Sequence, residues 1–456
     1  MPGEFVEDCS NPILSRLCHF WRGGVLREKW FKRRCYLHFD APISYLKAKQ
    51  LVEDPKKVAC WSFFPLLHVT LDSKKIVRAE DNSLKFKEKK RDIYYAAHSD
   101  SHIYSYYSNI LCDKYEILIN MNELNNNIIG FRKLKNNDGK GKCNIHFAQQ
   151  AFQDIIGMAP CSVLCFDIKG FFDNLDHFIL KKAWSFVLEK DKLPCDHYNI
   201  FKSLIKFSYV ERKDIFKRFT ITKKSIKNKD RICSISEFRD IVRKEKYISK
   251  YSCKYGIPQG TPISGVLSNI YMLDFDINLK KIANKYQAIY YRYCDDIILI
   301  CKPSDELFFK NIISLLIYGM KLEISKSKTI VRHFGINKEV FCDKPVQYLG
   351  FIFDGQRTYI RSSSYIRFLN KMKRGVSLAR QTARKYNRIK ITKDIKIRNI
   401  YRKKLYSRYS YLGKRNFISY AMKAAKIMND NTIKKQVKPL WKKLLYRISC
   451  ADEHIL

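Results

Sequence analysis

The sequence predicts an α+β fold, with an antiparallel sheet followed by a helical and strongly basic C-terminal region. Residues 288–291 and 297–300 are rich in β-branched and aromatic side chains, and they flank Tyr293-Cys294-Asp295-Asp296. This pattern predicts a β-hairpin with carboxylates at its tip. Ser162–Phe166 is another short apolar run and predicts a further strand. Residues 356–456 carry apolar residues at helical spacing instead.

The paired acids indicate a functional site when they are taken with a third acid. A half-buried carboxylate is costly unless it is paired or bound to metal. Asp295-Asp296 alone could be an ordinary turn, but the predicted strand Ser162–Phe166 ends at Asp167, and Gly170 follows shortly afterwards. Three acids on two adjacent strands can hold two Mg²⁺ ions for in-line phosphoryl transfer.

A loop rich in glycine and proline lies between these acids, and a helix is predicted to follow it. Pro258-Gln259-Gly260 leads into Thr261, which is a good N-cap, and Pro262 suits the first helical position. Apolar residues then recur at helical spacing on one face, namely Ile263, Val266, Leu267, Ile270 and Tyr271. Taken alone, such a loop could be a simple connection.

These motifs, in this order, resemble the palm motifs of reverse transcriptases: Asp167, Pro258-Gln259-Gly260 and Tyr293-Cys294-Asp295-Asp296. Downstream, Leu322–Thr329 is similar to the next motif of the family, and Tyr348-Leu349-Gly350-Phe351 resembles the hairpin that grips the primer. The resemblance implies a right-hand polymerase with fingers, palm and thumb, and RNA-directed DNA polymerase activity.

The resemblance, which runs from about Lys85 to Arg361, also implies roles for individual residues. The catalytic acids are Asp167, Asp295 and Asp296. The residues that contact metal are Asp167, Ile168, Asp295 and Asp296, and the cofactor is Mg²⁺ as two ions, for which Mn²⁺ could substitute.

Five further residues are implied as contacts of the incoming deoxynucleoside triphosphate (dNTP). Arg91 matches a fingers arginine that binds the triphosphate, although related sequences often have proline where Asp92 stands. Phe172 matches the aromatic ring that excludes a 2′-hydroxyl. Gln259 and Gly260 belong to the loop at the nascent base pair. Lys328 matches a general acid for the leaving pyrophosphate.

Weaker signals favour a particular branch of the family. Phe63–His68, Ile103–Tyr107, Arg231–Ser234 and Phe353-Asp354-Gly355 resemble bacterial antiphage reverse transcriptases of the abortive-infection and "unknown group" type. That likeness implies phage defence, a dedicated non-coding RNA as template or scaffold, and a DNA product.

Composition indicates a globular protein with a polyanionic partner. The 456 residues include 87 Lys/Arg and 44 Asp/Glu, which gives a net charge of +43. No apolar run approaches the roughly 18 residues that span a bilayer, and the first residues do not form a secretory signal. The 15 cysteines are scattered without metal-ligand spacing, as in a reduced cytoplasmic protein. We therefore expect a cytoplasmic protein without a membrane partner, and no particular oligomer is predicted.

We predict four segments along the chain. Residues 1–60 form a basic, aromatic-rich extension, 61–158 the fingers, 159–355 the palm with a helical insertion at about 187–249, and 356–456 the thumb. Across 361–450 there are 27 Lys/Arg and only two acids, Asp394 and Asp430.

Charge and aromatic residues suggest how an RNA partner is bound. Basic residues in the C-terminal third would hold phosphates, and the candidates are Lys371, Lys373, Arg374, Arg402, Lys403 and Lys404. Unpaired bases would stack on N-terminal aromatic rings such as Trp21, Trp30 and Phe31.

Several alternatives remain open at the level of sequence. RNA-directed RNA polymerases also use an Asp-Asp hairpin, but they generally carry a second acid where this chain has Phe172. An abortive-infection enzyme could synthesise DNA without a template or from a protein primer. A group II intron or retron-type enzyme of a mobile element is a further alternative, although no Cys-pair endonuclease segment is visible. A catalytically inactive binding protein is disfavoured because all three acids are present.

Overall fold

The structure, a computed structural model, describes residues 28–78, 83–222 and 225–453. Residues 1–27, which include Trp21 and the first half of the predicted extension, lie outside the described residues. The strands within the described ranges are β1 (Leu66–Arg78), β2 (Leu84–Tyr95), β3 (Cys161–Asp167), β4 (Ser208–Glu211), β5 (Ser249–Lys250), β6 (Ile289–Tyr293), β7 (Asp296–Cys301), β8 (Ile330–Asn337), β9 (Glu339–Cys342), β10 (Val346–Tyr348), β11 (Phe351–Phe353) and β12 (Thr358–Ile360).

The helices in the same ranges are numbered separately. They are α1 (Tyr45–Val52), α2 (Pro55–Ala59), α3 (His98–Met121), α4 (Asn144–Met158), α5 (His177–Val187), α6 (Cys195–Ile205), α7 (Arg212–Arg218), α8 (Ile235–Glu237), α9 (Ser264–Tyr271), α10 (Leu273–Lys285), α11 (Glu306–Gly319), α12 (Ser362–Ile391), α13 (Arg402–Tyr409), α14 (Phe417–Ile427), α15 (Asn431–Val437) and α16 (Pro439–Glu453). Short 3₁₀ turns occur at Phe171–Asp173, Ser225–Asn228, Pro303–Asp305 and Lys326–Lys328, and a π-helical turn at Phe238–Arg243.

The chain divides into two compact units, each assembled from separate stretches of sequence. Unit 1 contains the residues up to Lys114 together with Trp184–Val266, and unit 2 contains Tyr115–Ala183 and Leu267–Leu456. Each unit has its own buried apolar cluster, so each can be described by itself.

Unit 2 contains a five-stranded sheet in the order β6-β7-β3-β8-β9. Every neighbouring pair in it is antiparallel. The predicted hairpin is present as β6 and β7, and the predicted strand before Asp167 is β3. Val163 and Ile300 on one face and Leu164 and Leu299 on the other are fully buried, so protein covers both faces of this sheet. The predicted α+β fold with an antiparallel sheet is thus confirmed.

The C-terminal part of unit 2 is a small sheet followed by helices. Strands β10, β11 and β12 form an antiparallel three-stranded sheet, and α12–α16 follow it. Apolar residues at helical spacing, including Phe368, Met372, Leu440 and Leu444, are buried in one cluster. That burial leaves the many Lys and Arg side chains on the outside. The Arg402 guanidinium differs from these, because it forms an ion pair with Asp452 at 2.6 Å.

Unit 1 is built on the sheet β2-β1-β4-β5. Strands β1 and β2 form a long antiparallel ribbon, and β4 joins β1 in parallel. The predicted helix start in this unit was wrong. The helix α9 begins at Ser264, not at Pro262, because the Ser264 hydroxyl donates to the Pro258 carbonyl at 2.7 Å and bonds to the Thr261 hydroxyl at 2.6 Å. Thr261 therefore stabilises a turn before the helix.

The N-terminal aromatic residues pack inside unit 1. Trp30 is only 5% exposed; its ring stacks on Tyr45 at 6.0 Å and its indole N–H donates to Glu28 at 2.8 Å. Phe31 stacks on His102 at 4.8 Å. The expectation that Trp30 stacks on RNA bases was wrong, because the ring belongs to the core. Across the described residues, every helix is too short or too polar to cross a bilayer.

Candidate active site

The three predicted catalytic acids meet at one end of the five-stranded sheet. Asp167 is the last residue of β3 and lies directly opposite Asp296, the first residue of β7. Directly opposed residues in an antiparallel pair point to the same face. Asp295 occupies the turn between β6 and β7, and its carbonyl accepts a hydrogen bond from the Ile168 amide at 3.2 Å. The fold therefore places Asp167 beside the hairpin that carries Asp295 and Asp296.

A buried ion pair shapes the turn that carries Asp295. The side chains of Arg292 and Asp276 are both fully buried, and the guanidinium donates Nε to Asp276 Oδ1 at 2.9 Å. The same guanidinium donates Nη1 to the Cys294 carbonyl at 3.2 Å and to Asn269 Oδ1 at 3.1 Å. Burial alone would lower the pKa of Arg292, but the Asp276 carboxylate outweighs it and raises that pKa, so the guanidinium stays charged.

A short segment before α4 supports the turn from its other side. The Arg292 amide donates to the Asn127 carbonyl at 2.7 Å, and the Ile129 amide donates back to the Arg292 carbonyl at 3.0 Å. A Cβ on Gly130 would lie 2.6 Å from the Cys294 nitrogen, so only glycine fits there. Cys294 itself has φ 61°, a left-handed conformation of the kind that two-residue hairpin turns require.

Burial, together with repulsion between the carboxylates, raises the pKa of two of the three acids. Desolvation raises the pKa of Asp295, and the Asp167 carboxylate adds to this increase. Desolvation, together with the Asp295 and Asp167 carboxylates, raises the pKa of Asp296 to about 6. Lys328 and Arg361 oppose the shift at Asp296. The site thus concentrates negative charge that its nearby cations balance only in part.

Lys328 is bonded to one of the acids. Its ammonium donates to Asp167 Oδ2, and about half of the lysine side chain is exposed. The backbone brings it there, because the Ser325 amide donates to the Asp167 carbonyl at 2.8 Å just before the 3₁₀ turn Lys326–Lys328. The structure therefore joins Lys328 to the acids rather than leaving it on a remote surface.

The donor chemistry of the site fits Mg²⁺. Mg²⁺ prefers oxygen ligands, and the three carboxylates supply them, while buried Ile168 could contribute only its backbone carbonyl. A cation would also offset the burial and the carboxylate repulsion that raise the pKa of Asp295 and Asp296. Within the described part of the chain, no group of three or more His, Cys, Asp and Glu side chains is already arranged to hold a metal ion. Because the Lys328 ammonium donates to Asp167 Oδ2, a metal ion at Asp167 would have to compete with it.

Phe172 lies in a 3₁₀ turn that follows β3. Gly170 has φ 53° and precedes this turn, Phe171–Asp173. Phe171 is buried, whereas Phe172 is half-buried and meets the edge of Phe131 at a ring distance of 6.3 Å. The turn thus anchors one ring in the core and leaves the second available to a substrate.

The remaining predicted dNTP contacts, Arg91, Gln259 and Gly260, lie in unit 1. Arg91 is exposed on β2. Three residues later the Tyr94 amide donates to the Gln259 carbonyl at 2.8 Å. Gly260 has φ 121°, and a Cβ there would lie 2.6 Å from the Tyr94 carbonyl oxygen. Unit 1 therefore ties the strand of Arg91 to the loop of Gln259 by direct backbone contact.

Asp92, which stands where related sequences often have proline, is part of a polar cluster in unit 1. Its carboxylate accepts from the Thr70 hydroxyl at 2.9 Å and lies 3.0 Å from His68 Nε2. The other ring nitrogen of His68 bonds to Glu211. Asp92 also continues the β1–β2 ladder opposite Thr70. The strand is thus regular at Arg91 and Asp92. A proline at position 92 would have removed a backbone donor from the strand, whereas Asp92 keeps that donor and adds side-chain contacts.

Sequence reasoning missed the residues that hold the turn in place. Arg292 and Asp276 were not predicted to have a role, although the sequence around each residue could have indicated one. Arg292 is a charged residue within an otherwise apolar strand. Asp276 lies on the buried face of α10 together with Leu279 and Ala283. A buried charge normally has a partner, so each residue could have indicated that the other exists.

Comparison with known families identifies the chain. The family "Reverse transcriptase (RNA-dependent DNA polymerase)" matches residues 103–353, which include β3, the hairpin β6–β7 and all three acids. The match covers more than half of the 456 residues, and the chain belongs to the reverse transcriptase family. No curated protein matches the chain significantly.

Solved structures to which the chain is similar include telomerases. An apo telomerase from Candida tropicalis is 14% identical with a TM-score of 0.36, and the match covers 64% of this chain and 48% of that one. A Candida albicans telomerase in complex with a fragment of telomeric RNA is 13% identical with a TM-score of 0.37, and the match covers 91% of this chain and 65% of that one. The chain thus spans about half to two thirds of the length of these telomerases.

Proposed function

We propose that this protein is an RNA-directed DNA polymerase that adds deoxynucleotides to a primer 3′-hydroxyl. The observation that carries the proposal is the register of β3 and β7, which places Asp167 opposite Asp296 and beside the turn of Asp295. These residues lie within the region that matches the reverse transcriptase family. The acids are a hard-oxygen ligand set on a rigid sheet, as two-metal nucleotidyl transfer needs.

Asp167, Asp295 and Asp296, with the Ile168 carbonyl, would hold the two Mg²⁺ ions. When bound, the ions would activate the primer hydroxyl and stabilise the leaving pyrophosphate. The buried Arg292 guanidinium keeps the turn of Asp295 in position through the Cys294 carbonyl. Released from Asp167, the Lys328 ammonium is the proton donor that we propose for pyrophosphate.

Substrate selection is assigned to residues of both units. In unit 2, Phe172 would lie beneath the sugar and exclude a 2′-hydroxyl. In unit 1, Arg91 would bind the triphosphate through its planar guanidinium, and Gln259 and Gly260 would contact the nascent base pair. The backbone bond between Tyr94 and Gln259 would keep these two elements of unit 1 in a fixed relation.

We also propose which segments of the sequence form the fingers, palm and thumb of the polymerase. Residues 61–158 would act as fingers, 159–355 as palm with an insertion at about 187–249, and 356–456 as thumb, while 1–60 form an N-terminal extension. The C-terminal helices support the thumb assignment, because they bury an apolar face and expose most of the 27 Lys/Arg of residues 361–450. Such a surface binds nucleic acid backbones.

The biological setting that we propose is antiphage defence in the bacterial cytoplasm, with a dedicated non-coding RNA as template or scaffold. The likeness of several motifs to abortive-infection and "unknown group" enzymes supports this setting. The net charge of +43 supports a nucleic acid partner. Since the Trp30 ring is buried, the bases of that RNA must be recognised elsewhere.

A primer-extension assay tests the polymerase proposal. Purified protein is given an RNA template, a DNA primer, Mg²⁺ and either dNTPs or ribonucleotides. We expect dNTP incorporation that follows the template sequence. Incorporation that ignores the template would favour untemplated synthesis, and preferential use of ribonucleotides would favour RNA-directed RNA synthesis. Either outcome would replace the proposal.

Sequencing of the nucleic acid that co-purifies from cells, with and without phage, tests the RNA partner. We expect one enriched RNA species. Random cellular RNA would contradict a dedicated RNA and would favour untemplated or protein-primed synthesis.

A further inference from the structure

A histidine in unit 1 bonds to two carboxylates that come from different strands. His68 lies on β1, which has β2 on one side and β4 on the other. Its side chain is buried. The ring nitrogen Nε2 lies 3.0 Å from Asp92 Oδ1 on β2, and Nδ1 bonds to Glu211 Oε1 on β4. The imidazole therefore bridges three neighbouring strands through its side-chain contacts.

These contacts determine how many protons the ring must carry. An ionised carboxylate only accepts hydrogen bonds, so a ring nitrogen that bonds to one has to donate. A neutral imidazole has one N–H and can donate to only one carboxylate, whereas the imidazolium donates from both nitrogens. With Asp92 and Glu211 ionised, the two contacts of His68 require the imidazolium. Because the carboxylates bond to different nitrogens of the ring, the three side chains do not converge on one point, as the ligands of a metal ion would.

Two tyrosines and a threonine surround this bridge. Tyr94 of β2 stacks on the His68 ring at 4.7 Å, and Tyr209 of β4 meets the ring edge-on at 5.5 Å. The Thr70 hydroxyl donates to the same Asp92 oxygen at 2.9 Å. The two rings limit rotation of the imidazole, and Thr70 orients the carboxylate, so the bridge is held in one geometry.

Basic residues close to this cluster in the sequence lie on the other face of the sheet. Successive residues of a strand point to opposite faces, so Tyr95 and Ser208 point away from His68. Arg212 hydrogen-bonds to Tyr95, and Lys250 lies opposite Ser208 in the β4–β5 pair. The charges in contact with the ring are thus those of the two carboxylates.

The bridge is adjacent to the proposed triphosphate contact Arg91. Asp92 follows Arg91 on β2, and Arg91 itself is exposed. Glu211 belongs to the proposed insertion at about 187–249, so the bridge joins that insertion to the strand of Arg91. It therefore adds a charged side-chain connection to the backbone ladders that hold this strand.

We propose that His68 is a positioning residue for the incoming dNTP, because its imidazolium holds the strand of Arg91 to β4. This inference rests on the proposed polymerase function. As the pH rises, the ring loses one proton and one of its two nitrogens stops donating. The connection is therefore complete at low pH and is lost as the pH rises. We expect dNTP affinity to fall with it, without an accompanying change in the chemical step.

The protonation state of the ring can be measured without any polymerase activity. Nitrogen-15 NMR of the full-length chain with labelled histidines reports which ring nitrogens carry a proton, and His68→Phe identifies the His68 signals. At about pH 6.5 we expect both nitrogens of His68 to be protonated, with loss of one proton by about pH 9. In Asp92→Asn the amide can donate to Nε2, so the ring should already be neutral at about pH 6.5.

The positioning role is measured by primer extension over the same pH range, which lies above the pKa of Asp296 of about 6. KM for dGTP and kcat are determined separately. In the unmodified chain KM should rise about threefold to tenfold across the range, which is the size of one net hydrogen bond. Asp92→Asn should remove this rise, whereas Asp72→Asn, at an exposed carboxylate of β1 opposite Lys90, should keep it. In each variant kcat should follow that of the unmodified chain.

Each failure has its own signature. A His68 ring that is neutral at about pH 6.5 in the unmodified chain would overturn the bridge. If the ring is protonated, a KM that rises equally in the unmodified chain and in Asp92→Asn would overturn the positioning role, and so would a fall in kcat without a change in KM. If the unmodified chain incorporated no dNTP at any pH, the polymerase proposal itself would fail, and the dNTP role of His68 with it, whatever the state of the ring.

Discussion

The Lys328 ammonium is hydrogen-bonded to the Asp167 carboxylate, so one of the three acids is already neutralised by the protein itself. A divalent cation that binds Asp167 must compete with this ammonium. Lys328 consequently has two opposing effects on catalysis: it weakens cation binding, and in our proposal it donates a proton to pyrophosphate.

These opposing effects predict that a substitution of Lys328 slows catalysis and at the same time strengthens cation binding. Lys328→Gln should lower kcat by about 10²–10⁴-fold through loss of the proton donor. It should also lower the Mg²⁺ concentration at half-maximal rate several-fold, because a nearby positive charge is gone. Mg²⁺ titrations of primer extension measure both quantities, with Lys326→Gln as the control from the same turn. A half-maximal Mg²⁺ concentration that rises would contradict the competition.

Cation binding should also depend on pH through Asp296. The raised pKa of Asp296, about 6, means that its proton is retained to a higher pH than in an ordinary aspartate. A bound proton competes with the cation, so affinity should be full well above pH 6 and fall about tenfold per pH unit below it.

Mn²⁺ binding to the protein without substrate, followed by electron paramagnetic resonance, measures this dependence. Lys328 opposes the shift at Asp296. Lys328→Gln should therefore move the loss of affinity to higher pH. Binding that stays constant down to pH 5 would show that Asp296 is not a ligand.

The buried pair of Arg292 and Asp276 predicts a loss of stability from a substitution outside the three acids. Asp276→Ala leaves the guanidinium buried without its counter-charge, which typically costs about 3–5 kcal/mol of unfolding free energy. Asp274→Ala, on an exposed position of the same helix α10, should cost within about 0.5 kcal/mol. Denaturant unfolding compares the two, and similar midpoints would contradict the structural role of the pair.

Sugar selection should depend on Phe172. Phe172→Ala opens the space beneath the sugar, and the ratio of kcat/KM for dGTP over GTP should fall by roughly 10–200-fold, the range of one steric group. Phe178→Ala is the matched control, since Phe178 is an exposed phenylalanine on α5, 73% accessible. An unchanged ratio in Phe172→Ala would remove this residue as the gate.

Local sequence patterns were sufficient to predict the strands that carry the acids. The β-branched and aromatic runs around Asp295 and before Asp167 were long enough to specify β3, β6 and β7, and their burial explains why. The start of α9 was misplaced because the Ser264 hydroxyl bonds to the Pro258 carbonyl, a contact that the Thr-Pro pattern does not reveal.

The parts that could not be predicted depend on residues far apart in the sequence. Lys328 meets Asp167 across 161 positions, and the approach of Gly130 to Cys294 is a backbone contact between distant segments. The burial of Trp30 also required the tertiary partners Tyr45 and His102. An aromatic ring near a charged segment is equally compatible with a core and with a nucleic acid surface, so sequence alone could not distinguish them.

The central claim is that Asp167, Asp295 and Asp296 form the polymerase site. Its most direct test is Mg²⁺-dependent primer extension on an RNA template by Asp295→Asn with Asp296→Asn, compared with Asp274→Asn as a folded control. We predict that the double variant keeps its unfolding midpoint and loses dNTP incorporation entirely, while Asp274→Asn retains it. Templated incorporation by the folded double variant would contradict the account.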